Sequence, residues 1–448
     1  MKTTRPLRIV HVVATPTGAP WMVALAREQK QNGHEVSVIV PSLEGDLAPQ
    51  LAKLGIACYA TPCDLFRPRT HAARALLLFK FVRLLRRLRP DFVHSHIFNS
   101  VIAARLASWL ADAPNHFGGN VGPLTIESDA LRPIEIGTTF CDTKTIASCT
   151  YTRELFIANG VPEENVELIF YAVDQSGHDP ACADGARVRR ELGISERAPV
   201  IGKIAYFYPP VSTDPLMPPE LRGRGVKGHD VLIRAAPLVL EAIPDAKFVL
   251  VGSGWLAEGE LYEQEMKELA ASTGAGDAIL FAGERRDVPD VLASFDISVH
   301  CSLTDNLAGT VESLMMARPM IVSDIRGFAD TVIHEKTGLV VRRDDPRALA
   351  DAIIRLVRDR NLAQRLGENG RRWMLERFTL ARTVADVEAL LQRCPARAEQ
   401  RYRLTTTLAR TIVIPFRMYL LLREYNRVMG MPLWKRAWHF AFRMLKPA

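Results

Sequence analysis

The chain has 448 residues, 48% of them hydrophobic and 24% charged, with a formal net charge of +7. That length suits two or three domains, and the balance is that of a globular protein with a sizeable core. Seven scattered cysteines form neither a disulfide framework nor a metal-ligand spacing, and no uninterrupted apolar stretch is long enough to span a bilayer, so a reducing cytoplasm is expected. The charge is uneven. Beyond Gln400 ten basic residues face only Glu424, a larger excess than that of the whole chain, so the remainder is slightly acidic.

Residues 8–13 read as a first buried strand, too short an apolar run for a signal peptide. The turn that follows holds Gly18, where the backbone can approach a ligand or merely reverse. Residues 21–32 predict a helix closed by Gly33, residues 36–40 a strand, residues 75–88 a helix ended before Pro90, and residues 92–95 another strand. Residues 102–110, 145–148 and 167–170 continue the alternation, which predicts a doubly wound parallel sheet with ligands beyond the strands' carboxyl ends. His11 alternates with apolar neighbours and reads as a satisfied core histidine, while His94 and His96 flank a strand end. His116 lies in the polar, glycine-rich run 115–120, which reads as a loop at the sheet's carboxyl edge. It is the first half's candidate for catalysis, with a structural role standing beside it. The helix of residues 76–88 sets apolar positions on one side and Lys80, Arg83, Arg86 and Arg87 on the rest. That pattern fits a surface helix packed on the sheet, or one that meets an anionic membrane or acceptor.

A polar junction at residues 181–197 separates this pattern from a second one, with strands at 200–205, 247–252, 279–283, 297–300, 320–323 and 338–341. Two such sheets leave a cleft, the default place for a pair of substrates. The proline-rich run 208–220 leads through glycines to Lys227 and a helix from Asp230, and a loop Gly252-Ser-Gly254 follows the next strand. Neither a dinucleotide fingerprint nor a Walker loop is present. Residues 301–319 form a loop rich in Asp, Asn, Gly and Thr, then an apolar helix opening near Gly309 and ending at Arg318 and Pro319. Unpaired amides at such a helix start suit a phosphate. Asp305 before the helix and Glu312 in its first turn either accept hydrogen bonds from hydroxyls beside that phosphate, or cap the helix and complement its dipole.

Lys227-Gly228, then residues 251–254, 281–287, 305–312 and 325–328, in that order, resemble the donor domain of family-4 (group 1) GT-B glycosyltransferases. Residues 89–96 resemble a strand region of that family's first domain, and residues 160–174 its linker. The resemblance implies an α/β fold of two Rossmann-like doubly wound domains facing a cleft. It implies Glu312 on the ribose hydroxyls of a nucleotide sugar, the amides of Ala308, Gly309 and Thr310 on the diphosphate, Lys227 on the leaving phosphate, and Asp305 orienting the sugar. His116 is assigned to the sugar or acceptor, and Gly18, Gly254 and Arg285 to the donor site. Three departures stand out. Thr304 occupies the spacing usual for a first glutamate, with Asp305 one residue nearer. Tyr206 stands where a phosphate-binding arginine is usual, so Arg222 or Arg224 from the proline-rich insertion is expected to supply the charge. The first-domain loop carries Gly18-Ala-Pro in place of a double glycine.

The expected organisation is an acceptor-side domain at 1–185, a nucleotide-sugar domain at 195–383, a returning helix at 384–400 and a basic amphipathic extension at 401–448. In that extension Trp434, Trp438, Phe442 and Leu445 with Lys435, Arg436, Arg443 and Lys446 fit an interfacial helix, or one packed on protein. The resemblance implies a retaining glycosyltransferase of class EC 2.4. It would move sugar from a nucleoside-diphosphate sugar to a saccharide or lipid-linked acceptor in cell-surface glycan synthesis, peripheral on the inner face of an anionic membrane. No cofactor or metal is required by these residues, and no nucleic-acid reader motif is present. The alternatives are a non-catalytic nucleotide-binding scaffold on the membrane, or an epimerase or phosphorylase on the same fold.

Overall fold

The computed structural model describes residues 6–66, 70–119, 122–307 and 309–394. The extension at 401–448 and Ala308 lie outside the described residues. The first sheet has seven strands: β1 Arg8–Val13, β2 Glu35–Val40, β3 Ala57–Ala60, β4 Phe92–His96, β5 His116–Gly119, β6 Lys144–Ala147 and β7 Val166–Leu168. All pairs are parallel, in the order β3-β2-β1-β4-β5-β6-β7. The second has six, also parallel: β8 Val200–Ile204, β9 Lys247–Val251, β10 Ile279–Gly283, β11 Ile297–His300, β12 Met320–Ser323 and β13 Leu339–Val341, in the order β10-β9-β8-β11-β12-β13. Strand order reverses between β1 and β4 in one sheet and between β8 and β11 in the other, the two switch points at which such folds bind ligands.

The central strands are buried along nearly their whole length, as apolar runs covered on both faces must be. Helix Phe98–Ala111 buries most of its residues between the sheet and its neighbours. Helix His71–Leu88 buries Leu77, Phe81 and Leu85 but leaves Leu76 and Phe79 53% and 62% exposed, beside exposed Lys80, Arg83, Arg86 and Arg87.

Two strands differ from the expectation. β3 (Ala-Cys-Tyr-Ala) is a half-exposed edge with no apolar run to betray it. Residues 116–119 form a strand and not a loop. A Cβ at Gly118 would lie 2.7 Å from an Asp142 carboxylate oxygen, and one at Gly119 3.3 Å from Ile146 Cβ. The glycines make room for buried neighbours inside a sheet.

Helix Leu380–Arg393 crosses back and packs Leu380, Val387, Leu390 and Leu391 against Leu7, Ile9, Phe92 and Phe117 of the first sheet. His34 Nε2 meets Glu388 Oε2 at 3.0 Å across that joint. The domains also touch along the cleft. Thr304 Oγ1 donates to Glu127 Oε2 at 2.8 Å, and the Thr150 N–H and hydroxyl both donate to Asp330 at 2.7 Å. The proline-rich insertion reaches over as well, where the Asp129 N–H donates to Leu216 O at 2.9 Å.

Candidate active site

A cavity of about 250 Å³ opens at the carboxyl ends of the second sheet. Ala205 and Tyr206 follow β8, Gly252 follows β9, Glu284 and Arg285 follow β10, and His300 ends β11; Lys227, Asp305, Gly309 and Glu312 complete the wall. Of the residues singled out from sequence, Lys227, Arg285, Asp305, Gly309 and Glu312 come together here.

Lys227 Nζ donates to Asp305 Oδ2 at 2.7 Å and lies 5.6 Å from the centre of the Tyr208 ring. Burial opposes the ammonium charge, but Asp305 and Tyr208 outweigh it and hold the lysine above its ordinary range. Gly228, in the left-handed region at φ 64°, places Lys227. A Cβ there would fall 2.1 Å from Cys301 O, so the loop before helix His229–Ala242 packs directly on the end of β11. Asp305 is fully engaged. Oδ2 also accepts from Ser302 Oγ at 3.0 Å, and Oδ1 from the Asn306 N–H at 3.0 Å. It does not cap the next helix. That helix is short, Thr310–Met315, and its cap is Gly309 with no side-chain hydrogen bond. Gly309 is squeezed between His300 and Glu312, whose Cε1 and Oε2 would lie 2.9 and 3.3 Å from an added Cβ. Burial pushes the Glu312 carboxyl up, partly offset by His178. Burial, with Lys203 and Lys227 behind it, drives the His300 imidazole well down, so its ring is neutral.

Thr310, Gly254, Arg224 and Gly18 lie outside the cavity lining, and Arg285 lines it with its charge already engaged. The Thr310 hydroxyl serves Leu307 O and Thr331 Oγ1 inside the core, and its N–H donates to Leu307 O at 3.2 Å. Gly254 donates its N–H to Glu263 Oε2 at 2.9 Å and packs against the following helix; a Cβ would strike the Glu260 backbone at 2.3 Å. Arg224 does not supply the missing phosphate charge, because its guanidinium makes two 2.8 Å bonds to Asp344 and one of 2.6 Å to Asp230, outside the cavity lining. Arg222 instead braces the insertion through Met217 O and Pro215 O. Arg285 lines the cavity with its head clamped by Asp287 and Glu191, the Asp287 bonds being 2.8 and 2.6 Å. Gly18 belongs to the first domain, where its N–H donates to Asp46 Oδ1 at 3.0 Å.

His116 is the main correction. It opens β5 at the amino end, the opposite edge from the cleft, and is buried. Its Nδ1 sits 2.7 Å from Asp142 Oδ1 and its Nε2 3.0 Å from Ser95 Oγ. Arg105, also fully buried, joins Asp142 and Glu135 in the same network. The partner carboxylate that the sequence did not reveal exists, and it makes the histidine structural.

Three contributors escaped sequence reading. Lys203 is fully buried in β8, its Nζ without a hydrogen-bond partner among the described residues, and burial lowers its pKa. A lysine inside an apolar central strand was the available signal. Tyr171 feels the charges of Glu312 and Asp305, and burial first, then those carboxylates, push its phenol well up. Glu127 takes hydrogen bonds from Thr304 and from the Tyr151 hydroxyl at 2.9 Å. The last two arrive from distant segments, with no local pattern to announce them.

Two family models match the chain, one described as glycosyl transferases group 1 over residues 219–373 and one as a glycosyl transferase 4-like domain over residues 18–172. Among curated relatives, the chain is 29% identical over 305 residues to a GDP-mannose-dependent alpha-(1-6)-phosphatidylinositol monomannoside mannosyltransferase of Mycobacterium tuberculosis, covering 63% of this chain and 70% of that protein. It is 25% identical over 324 residues to an Escherichia coli UDP-Gal:alpha-D-GlcNAc-diphosphoundecaprenol alpha-1,3-galactosyltransferase, covering 70% and 78%. Among solved structures, Anabaena HepE in complex with UDP-glucose superposes with a TM-score of 0.72 at 18% identity, over 86% of this chain and all of that one. WaaG, a glycosyltransferase involved in lipopolysaccharide biosynthesis, superposes with a TM-score of 0.61 at 15% identity, over 86% and 99%. Likenesses at such identities speak for the fold alone.

Proposed function

The chain belongs to the group 1 glycosyltransferases of GT-B fold, and from that premise we propose that it moves a sugar from a nucleoside-diphosphate sugar to a saccharide or lipid-linked acceptor with retention at the anomeric carbon. The observation that carries this reading is the Lys227–Asp305 pair in one cavity with Glu312 and Gly309. A cation for the leaving diphosphate and a carboxylate for ribose hydroxyls are what such a donor asks for.

In this reading Glu312 accepts from the ribose hydroxyls, and Lys227, backed by Lys203, stabilises the charge that grows on the departing phosphate. The Gly309 end of the loop lies against the diphosphate. Asp305, held by Lys227, Ser302 and the Asn306 N–H, turns the sugar. With Asp305 so engaged and Glu312 given to the ribose, neither is the covalent nucleophile. The acceptor hydroxyl then attacks on the face the diphosphate leaves, and a diphosphate oxygen takes its proton. The first domain contributes the acceptor side. Names of relatives support activated donors of more than one base, GDP-mannose in one and UDP-galactose in another, and acceptors that are lipid-linked.

A place on an anionic membrane surface, on its cytoplasmic side and in cell-surface glycan synthesis, fits the exposed Leu76 and Phe79 beside basic residues of helix His71–Leu88. Among the described residues no helix is long and apolar enough to cross a membrane. No specific observation favours the scaffold, epimerase or phosphorylase readings. Thermal-shift titration with nucleoside diphosphates, followed by turnover of the matching sugar donor, tests the proposal. Absence of any nucleotide-dependent shift would sink it.

A further inference from the structure

We propose that His11, His94 and His96 form a binding site for a divalent transition-metal ion of the zinc type, set in the first sheet at the β1/β4 switch point. The site is separate from the donor cavity and does not depend on the glycosyl-transfer reading. β1 and β4 are hydrogen-bonded neighbours whose register pairs His11 with His94. His94 and His96 stand two residues apart on one strand and therefore share a face of the sheet. The three rings are buried, and each offers a nitrogen such that all three lie within 4.8 Å of one another. Zinc–nitrogen bonds of ~2.0–2.1 Å put tetrahedral ligands roughly 3.4 Å apart. The His11 Nδ1 to His96 Nε2 separation is already 3.0 Å, so small ring movements close the set.

The surroundings match as well. His11 Nε2 lies 2.7 Å from Gln29 Oε1, an oxygen that can only accept, so that nitrogen carries the proton and the lone pair of Nδ1 is turned to His96. A second-shell acceptor of this kind is what a metal-bound imidazole ordinarily has on its far nitrogen. His94 keeps a buried Nδ1 with no hydrogen-bond partner among the described residues, a group that otherwise carries an uncompensated desolvation cost. Three nitrogen donors without thiolate or carboxylate select zinc, copper or nickel over magnesium and calcium. A cavity of about 40 Å³ borders His94 and His96 and takes in Tyr171, room enough for a water beside the site. Bound metal would tie β1 to β4 directly beneath the cleft.

The test uses the full chain, stripped with chelator and dialysed against zinc or cobalt(II). Metal analysis should return about one ion per chain, zinc should raise the unfolding temperature, and cobalt(II) should show the intense visible bands of a four-coordinate site. His96→Asn should abolish these bands. Gln29→Leu, which leaves the three ligands in place and so guards against simple misfolding of a ligand variant, should weaken binding about ten- to a hundredfold. Substoichiometric metal in the wild-type chain overturns the proposal. So do cobalt bands that survive unchanged in a natively folded His94→Asn/His96→Asn double variant, since the ion would then be bound elsewhere.

Discussion

Lys227 and Asp305 hold opposite charges 2.7 Å apart in a largely buried wall, and the two halves of that pair should separate under substitution. Lys227→Met removes the cation but leaves Asp305 its bonds from Ser302 and the Asn306 N–H. The remaining carboxylate is then short of one charged donor, so stability should fall by about 1–3 kcal/mol. Adding Asp305→Asn should recover most of that loss in denaturant melts while nucleotide affinity stays low. Recovery of affinity along with stability would mean the lysine serves only the fold. Glu312 gives a second test with a defined sign. Because burial raises its pKa, the folded chain keeps this proton to higher pH than the unfolded chain does. The stability it contributes is present below the ordinary glutamate range and lost as pH rises through the raised value. Ribose binding runs the other way, since the carboxylate is the better acceptor, so donor affinity should strengthen over that interval. Glu312→Gln should therefore melt higher than the wild type at neutral pH, bind nucleoside diphosphate about ten- to a hundredfold more weakly, and lose the pH dependence. A variant that binds as tightly as the parent removes Glu312 from the site. That Lys227 and Glu312 line one cavity was foreshadowed in the sequence because each stands beside a local marker, a glycine or a helix start. His116 was misread because the carboxylate that claims it, Asp142, lies 26 residues away.

At the level of elements, strands announced themselves where both faces are covered, as in β9 and β12, because burial on two sides favours a near-continuous apolar run, while β1 and β4 carry buried histidines within theirs. β5 did not, since its glycines answer to neighbours from other segments. The proline-rich insertion was readable as irregular, but its purpose was not. It is closed at its base by backbone bonds between Val211 and both Gly223 and Arg224, and its tip meets Ser128 and Asp129 of the first domain. Phe207, at its start, packs in the second-domain core with Met217 and Leu221. The insertion acts as a strap between domains and not as a supplier of phosphate charge. Replacing residues 213–220 with a short Gly-Ser turn keeps the Val211 closure and the Lys227 loop. Nucleoside-diphosphate affinity should stay within about threefold, a shift of less than 1 kcal/mol, while the unfolding temperature falls and small-angle scattering reports a wider particle. A large loss of affinity with unchanged dimensions would show that the strap belongs to the donor site.

Across the whole molecule, the described residues carry an apolar and basic face on the first domain, and the sequence adds ten basic residues beyond Gln400. Helix Leu380–Arg393 docks on the first sheet, so the chain passes into that basic stretch from the first domain as well. The exposed apolar and basic face of helix His71–Leu88 and the docking of helix Leu380–Arg393 thus both lie on the first domain. Each basic residue near an anionic leaflet adds about 1 kcal/mol, and salt screens the attraction over a Debye length of roughly 10 Å at 0.1 M. Flotation with vesicles rich in anionic lipid should thus capture the full chain and release it as salt rises, with little capture by neutral vesicles. A chain ending at Gln400 should lose most of that binding, and Leu76→Ser with Phe79→Ser should remove much of the remainder, because the exposed apolar pair then has nothing to insert. Turnover of a soluble acceptor analogue should be unaffected by the second change, since neither residue lines the donor cavity. If the truncated chain floats as well as the full one, the extension is not the anchor, and the helix face alone must account for attachment.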